Sequence, residues 1–104
     1  MVLLTAAYTH RAEQPDGGLY PEDQPERVDA WNSLLRTAAA QRPGQVSVLD
    51  IDPVVCPGGK FTWRIDGLRV RSDGLHYTPA AVQRLIAPWL LPRLARIAAS
   101  GPPG

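Results

Sequence analysis

Val2-Leu-Leu-Thr-Ala-Ala7 is a continuous run of apolar and small side chains bounded by polar residues, the pattern of a β-strand covered on both faces. Residues 9–22 replace that pattern with Pro, Gly, Asp and Glu, and predict a loop long enough to be functional or poorly ordered. A helix follows. Asp23 stands as its N-cap with Glu26 three positions on, an approximate capping box, and Pro25 falls in the first turn, where its missing N–H is not needed. Val28, Trp31, Leu34, Leu35, Ala38 and Ala39 recur at helical spacing and predict one buried face, which Arg42-Pro-Gly44 terminates. Val46 to Ile51 is a second apolar run, closed by Asp50 and Asp52. The order strand, helix, strand predicts a βαβ unit with parallel strands and therefore the α/β class.

Beyond it, Cys56-Pro-Gly-Gly59 must turn, and residues 63–70 alternate apolar and polar side chains around Asp66-Gly67, the pair that a tight type I′ hairpin demands. Thr78-Pro79 reads as the N-cap and first residue of a last helix with Val82, Leu85, Ile86 and Leu90 on one face. Pro88 and Pro92 should kink or restart that helix near Ala87. Residues 99–104 read as a disordered tail, and no internal repeat is visible. Two parallel strands, two helices and a hairpin do not close a layered α/β domain, whose sheets commonly have ~5–6 strands. The expectation is that residues 1–98 form the C-terminal half of a larger domain, which would also account for a buried strand that starts at residue 2.

Composition narrows the function classes. A chain of 104 residues has room for one ordinary domain, and 44% hydrophobic with 20% charged residues is globular composition. The formal net charge is +1 with no basic block, which argues against nucleic acid as a partner. The longest apolar stretch, Leu85 to Pro92, falls short of the ~20 residues of a membrane span and carries two prolines. The N-terminus has neither the basic flank nor the apolar length of a signal peptide. A single cysteine, Cys56, allows no disulfide within the chain and no zinc knuckle.

The candidate chemistry lies at Asp73-Gly-Leu-His76, just ahead of the last helix. Residues three apart in a turn can face the same side, so the Asp73 carboxylate can reach one imidazole nitrogen of His76 and leave the other pointing outward. Such a histidine can accept a proton from a hydroxyl nucleophile and return it to a leaving group, while the carboxylate fixes the tautomer and stabilises the imidazolium. The bland alternative is an exposed turn histidine beside a capping aspartate. The run from Leu3 to Leu94 resembles the C-terminal portion of SGNH/GDSL-type hydrolases, especially the SGNH domains fused to bacterial membrane acyltransferases. Matching segments are Val2-Leu-Leu-Thr5, residues 27–35, Val48-Leu-Asp50, Cys56-Pro-Gly-Gly59, residues 72–79 and residues 87–92. The resemblance implies a three-layer αβα, flavodoxin-like domain in which Asp73 and His76 are the acid and base of a Ser-His-Asp triad, with Tyr77, Thr78 and Pro79 at the base of the site.

The family's remaining elements are missing. No Gly-Asp-Ser occurs, the only asparagine, Asn32, is placed mid-helix, and Ser33, Ser47, Ser72 and Ser100 all lack the elbow a nucleophile needs. Losing a triad serine costs on the order of 10^6 in kcat even when the oxyanion hole remains. The expectation is an esterase or acyltransferase segment that is inactive alone, needs no cofactor or metal, and acts in its parent on a small-molecule or carbohydrate ester. A non-catalytic module that pairs with a partner chain is the rival reading. If the parent is membrane-fused, the expected localisation is extracytoplasmic. Weaker candidates are Cys56 as a thiol nucleophile served by His76 and Asp73, or as a turn residue disulfide-bonded to another segment; Asp50 and Asp52 as a Mg²⁺ pair; His10 as a solvent-exposed loop residue or part of a substrate rim; Trp63 as a pocket wall; and Trp31 and Trp89 as core.

Overall fold

A computed structural model describes residues 1–100. The elements are β1 (Val2–Leu4), α1 (Pro25–Ala40), β2 (Ser47–Leu49), α2 (Asp52–Val55), a hairpin of β3 (Arg64–Ile65) and β4 (Leu68–Arg69), and a long last helix that comprises α3 (Pro79–Ala81), a π-helical turn (Val82–Ile86) and α4 (Ala87–Ser100). β1 and β2 pair in parallel with Leu3 opposite Val48, and α1 makes the crossover and packs on β2. Helix and strand are therefore mixed in an α/β arrangement with one parallel and one antiparallel pair.

Local chemistry accounts for most boundaries. Asp66 and Gly67 both take positive φ, 50° and 78°, as the type I′ turn requires. Thr78 caps the last helix, its hydroxyl accepting from the Ala81 N–H at 3.1 Å, with Pro79 in the first turn. Before Pro88 the helix widens, and the Ala87 N–H donates five residues back to the Val82 carbonyl. A proline that cannot return an N–H to Arg84 is accommodated by such a turn, so the change of helix type falls at Ala87, where the prolines place it. The helix continues through Ser100, so residues 99 and 100 are helical rather than tail, and the rest of the expected tail lies outside the described residues.

Three expectations are corrected. Asp23 is not the N-cap of α1; Gln24 holds that position without a side-chain bond. Asp23 is instead buried at 1% exposure, where it ties down the loop by accepting from the Thr9 hydroxyl and from the Arg11 N–H and Nε. The buried face of α1 is also rotated from the one expected. Trp31 and Leu34 are 58% and 66% exposed, while Val28 and Asn32 are buried. The cause is polar: the Asn32 amide donates to the Ala6 carbonyl at 2.9 Å and accepts from the Ala6 N–H at 2.7 Å, so a two-bond clamp turns position 32 toward the chain leaving β1.

Third, the strands are not covered on both faces. Val2, Leu3 and all of β2 are half-buried and Leu4 is exposed. The core lies instead at their carboxyl ends, around Tyr8, Ile51, Val55, Cys56, Val70 and Ile86. α2 was missed by the pattern, although Asp52-Pro53 is a serviceable helix start. On the last helix Ile86 is buried, Leu85 and Trp89 pack against the core, Val82 is exposed, and no residue of α4 is buried. No helix among the described residues is long and apolar enough to cross a membrane.

Candidate active site

The loop 72–76 leaves β4 and is drawn closed by two main-chain contacts, an isolated bridge between Arg71 and Tyr77 and a Ser72 N–H bond to the His76 carbonyl at 3.0 Å. At its tip Gly74 takes φ +86° and sits so close to His10 that a Cβ would lie 2.6 Å from the His10 carbonyl carbon. Only glycine fits, for both reasons. The His10 N–H donates to the Gly74 carbonyl at 2.9 Å, so the loop is moulded on the chain leaving β1.

Within this loop the two candidate residues meet. Asp73 Oδ2 lies 2.7 Å from His76 Nδ1, and Oδ1 accepts from the Leu75 and His76 N–H groups at 2.9 and 2.7 Å. One carboxylate thus caps its own turn and orients the ring, so the capping and catalytic readings describe the same side chain. The bond from the His76 ring, followed by the two backbone N–H bonds, holds the Asp73 carboxyl well below the usual carboxylate range. An ionised carboxylate only accepts, and this pattern assigns the proton of a neutral imidazole to Nδ1. Nε2 is left without a partner among the described residues, on a side chain 73% exposed, with Asp73 at 55%.

Among the described residues no nucleophile accompanies the pair. The Ser72 hydroxyl donates to the His76 main-chain carbonyl at 3.4 Å rather than to the ring. Cys56 is fully buried, its thiol directed at the Tyr8 carbonyl at 3.8 Å, and burial pushes the thiol up from its ordinary value. A thiol with those properties is not a thiolate nucleophile, and neither Asp73 nor His76 is among its partners. Cys56 is a free thiol and a core residue within its turn.

Asp50 and Asp52 do not form a cation site. Asp50 pairs with Arg36 at 3.2 Å and accepts from the Thr5 hydroxyl at 2.8 Å, whereas the Asp52 N–H donates back to that same hydroxyl at 3.2 Å. Burial, and after it the Asp50 charge, pushes the Asp52 carboxyl up, and its Oδ1 has no partner. No group of three or more His, Cys, Asp or Glu that could hold a metal comes together among the described residues. His10 is half-buried; its Nε2 meets Glu13 at 3.1 Å and its ring lies 5.6 Å from Phe61 and 6.4 Å from Trp63. With Gly74 against its backbone, His10 belongs to an aromatic wall beside the loop, and Trp63, 38% exposed under the Arg69 guanidinium, shares that wall.

The contact that spacing could not reveal is Arg71. Its side chain is 1% exposed, and its guanidinium donates to the Tyr8 carbonyl at 2.8 Å and the Leu75 carbonyl at 3.1 Å. Nothing in a linear pattern marks one arginine among many as buried; the rings of Phe61 and Tyr77 lie against its guanidinium, with centroids 5.5 and 4.6 Å from the guanidinium carbon. A cavity of about 470 Å³ runs along residues 4–7 and is lined by Arg71, Leu75 and Tyr77, the neighbours of His76 but not His76 itself. Compared with protein-family models, curated proteins and solved structures, the chain matches none.

Proposed function

We propose that Asp73 and His76 are the carboxylate and general base of a Ser-His-Asp triad, in the C-terminal part of a three-layer αβα ester hydrolase or acyltransferase of the SGNH/GDSL kind. The observation that carries this reading is one carboxylate whose two oxygens fix both the backbone and the ring of the same histidine, with the far ring nitrogen free. In the reaction, Nε2 takes the proton of a serine hydroxyl as its oxygen attacks the ester carbonyl. The imidazolium then returns that proton to the departing alcohol, leaving an acyl-enzyme. Water or an acceptor alcohol enters by the same exchange, and Asp73 stays ionised throughout. The serine and the oxyanion-hole donors come from outside this sequence, which holds no Gly-Asp-Ser, and no cofactor is required.

Two measurements test this. Ring ¹⁵N NMR of the neutral imidazole should show the Nδ1–H tautomer; a ring carrying its proton on Nε2 would refute the role given to Asp73. The purified chain should hydrolyse p-nitrophenyl acetate no faster than equimolar imidazole, and turnover should appear only with a segment that carries Gly-Asp-Ser. Turnover by the chain alone that His76→Ala removes would refute the division of the triad.

A second reading rests on the surface. Trp31, Leu34 and Leu91 are 58%, 66% and 60% exposed, and a two-stranded sheet leaves an open edge on each side, a constellation suited to pairing with another chain. A chain that binds a partner yet gives no turnover in any combination supports this non-catalytic module over the triad.

A further inference from the structure

We infer that Arg71 is the positioning residue of the Asp73–His76 pair, pinning the histidine loop to the chain that leaves β1. The inference rests on the acid–base reading above. Arg71 Nη1 donates to Leu75, 4 positions on, and Nη2 to Tyr8, 63 positions back, so one rigid fork joins the two segments. No carboxylate lies within ion-pair distance of it among the described residues, and its Nε has no partner.

A buried cation without a counter-ion is costly, and its replacement by an apolar side chain of similar volume is often neutral or stabilising. The two carbonyls, the Cys56 sulfur at 3.9 Å and the faces of Phe61 and Tyr77 offset part of that cost. Retaining the charge makes sense for what the fork holds. Leu75 lies between Gly74, which is seated on His10, and His76, whose side chain is otherwise in solvent. Asp73 fixes the ring only relative to its own turn, since all its bonds are to residues 75 and 76. Arg71 fixes that turn relative to the rest of the molecule, and by holding the Leu75 carbonyl it also grips the Leu75–His76 peptide whose N–H donates to Asp73 Oδ1, so losing the fork loosens the contact between Asp73 and the ring. A lysine cannot replace it, because an ammonium on a flexible stem lacks two pre-aligned donors.

The test is ring ¹⁵N NMR on the full chain, comparing wild type with Arg71→Lys and Arg71→Met, with urea unfolding followed alongside. The expected result is a cooperatively folded Arg71→Lys chain in which the ratio of Nδ1–H to Nε2–H imidazole falls about fivefold, the change that one lost hydrogen bond produces. Arg71→Met, where it folds, should fall at least as far. An Arg71→Lys chain that keeps the wild-type ratio overturns the assignment, and so does one that cannot fold, which makes Arg71 a core residue and nothing more. A wild-type ring already lacking the Nδ1–H preference removes the acid–base reading itself. A wild-type preference that survives in Arg71→Lys removes only the role of Arg71.

Discussion

Alanine at position 74 perturbs the histidine loop at its most constrained point, and Gly58 supplies the control. Both glycines have positive φ, +86° at Gly74 and +76° at Gly58. A side chain in the left-handed region costs roughly 1–2 kcal/mol, so Gly58→Ala, whose Cβ would meet nothing within 4 Å, should lose that amount and no more. At Gly74 the Cβ would overlap the His10 carbonyl and approach the Arg11 nitrogen to 3.2 Å. Both obstacles are backbone, so relief requires the two segments to separate, which breaks the His10 N–H bond to the Gly74 carbonyl at a further ~0.5–1.5 kcal/mol. Gly74→Ala should therefore lose about 1.5–3.5 kcal/mol, a large share of the ~5–15 kcal/mol of a typical domain. Urea unfolding of the two variants measures the difference, and ring ¹⁵N spectra report whether the Nδ1–H signature of His76 weakens in Gly74→Ala alone. Equal midpoints for the two alanines, with an unchanged histidine signature, would show that the loop is not moulded on His10.

Four further outcomes follow from the same geometry. Leu34→Ala should cost less than ~0.5 kcal/mol because the side chain is exposed, whereas Asn32→Ala should cost about 1–3 kcal/mol by orphaning the Ala6 N–H and carbonyl; urea midpoints in the reverse order would restore the face expected from periodicity. The Tyr8 hydroxyl, held by the Asp29 carboxylate and then by burial, is pushed up to about 12; protonated tyrosine is favoured in the folded chain, so this stability is present below pH 10.0 and is lost as pH rises toward 12. Phenolate absorbance during an alkaline titration, compared with Tyr8→Phe, measures that window. For Asp23, burial opposes ionisation, but the Thr9 and Arg11 bonds outweigh it and lower the carboxyl below its ordinary value; its stabilisation is complete above that value, fades on acidification, and should be missing from the acid limb of Asp23→Asn. Cys56 should react with a thiol reagent only at the rate at which the chain opens, so a labelling rate independent of urea would contradict its burial.

Features set by one or two adjacent residues were legible in the sequence. The hairpin follows from Asp66-Gly67, because few other pairs tolerate two positive φ angles in succession, and the start of the last helix follows from Thr78-Pro79. Asp73 and His76 were legible as a pair because their contact spans three residues of one turn. Periodicity failed on α1 because a moment of apolar residues says where a helix prefers to bury itself, while the Asn32 clamp and the single neighbouring sheet decide where it does. For the same reason Asp23 looked like a cap.

By itself, then, the sequence determined the α/β order of elements, the hairpin, the capped last helix and the Asp73–His76 turn, all of them products of short-range sterics and hydrogen bonding. Tertiary structure alone decided that Cys56 is core and not nucleophile, that Trp31 faces outward, and that Gly74, His10 and Arg71 hold the histidine loop. Those contacts join segments some 60 residues apart, such as Tyr8 with Arg71. No local propensity encodes them, because burying an arginine against two carbonyls is favourable only once the chain around it has closed.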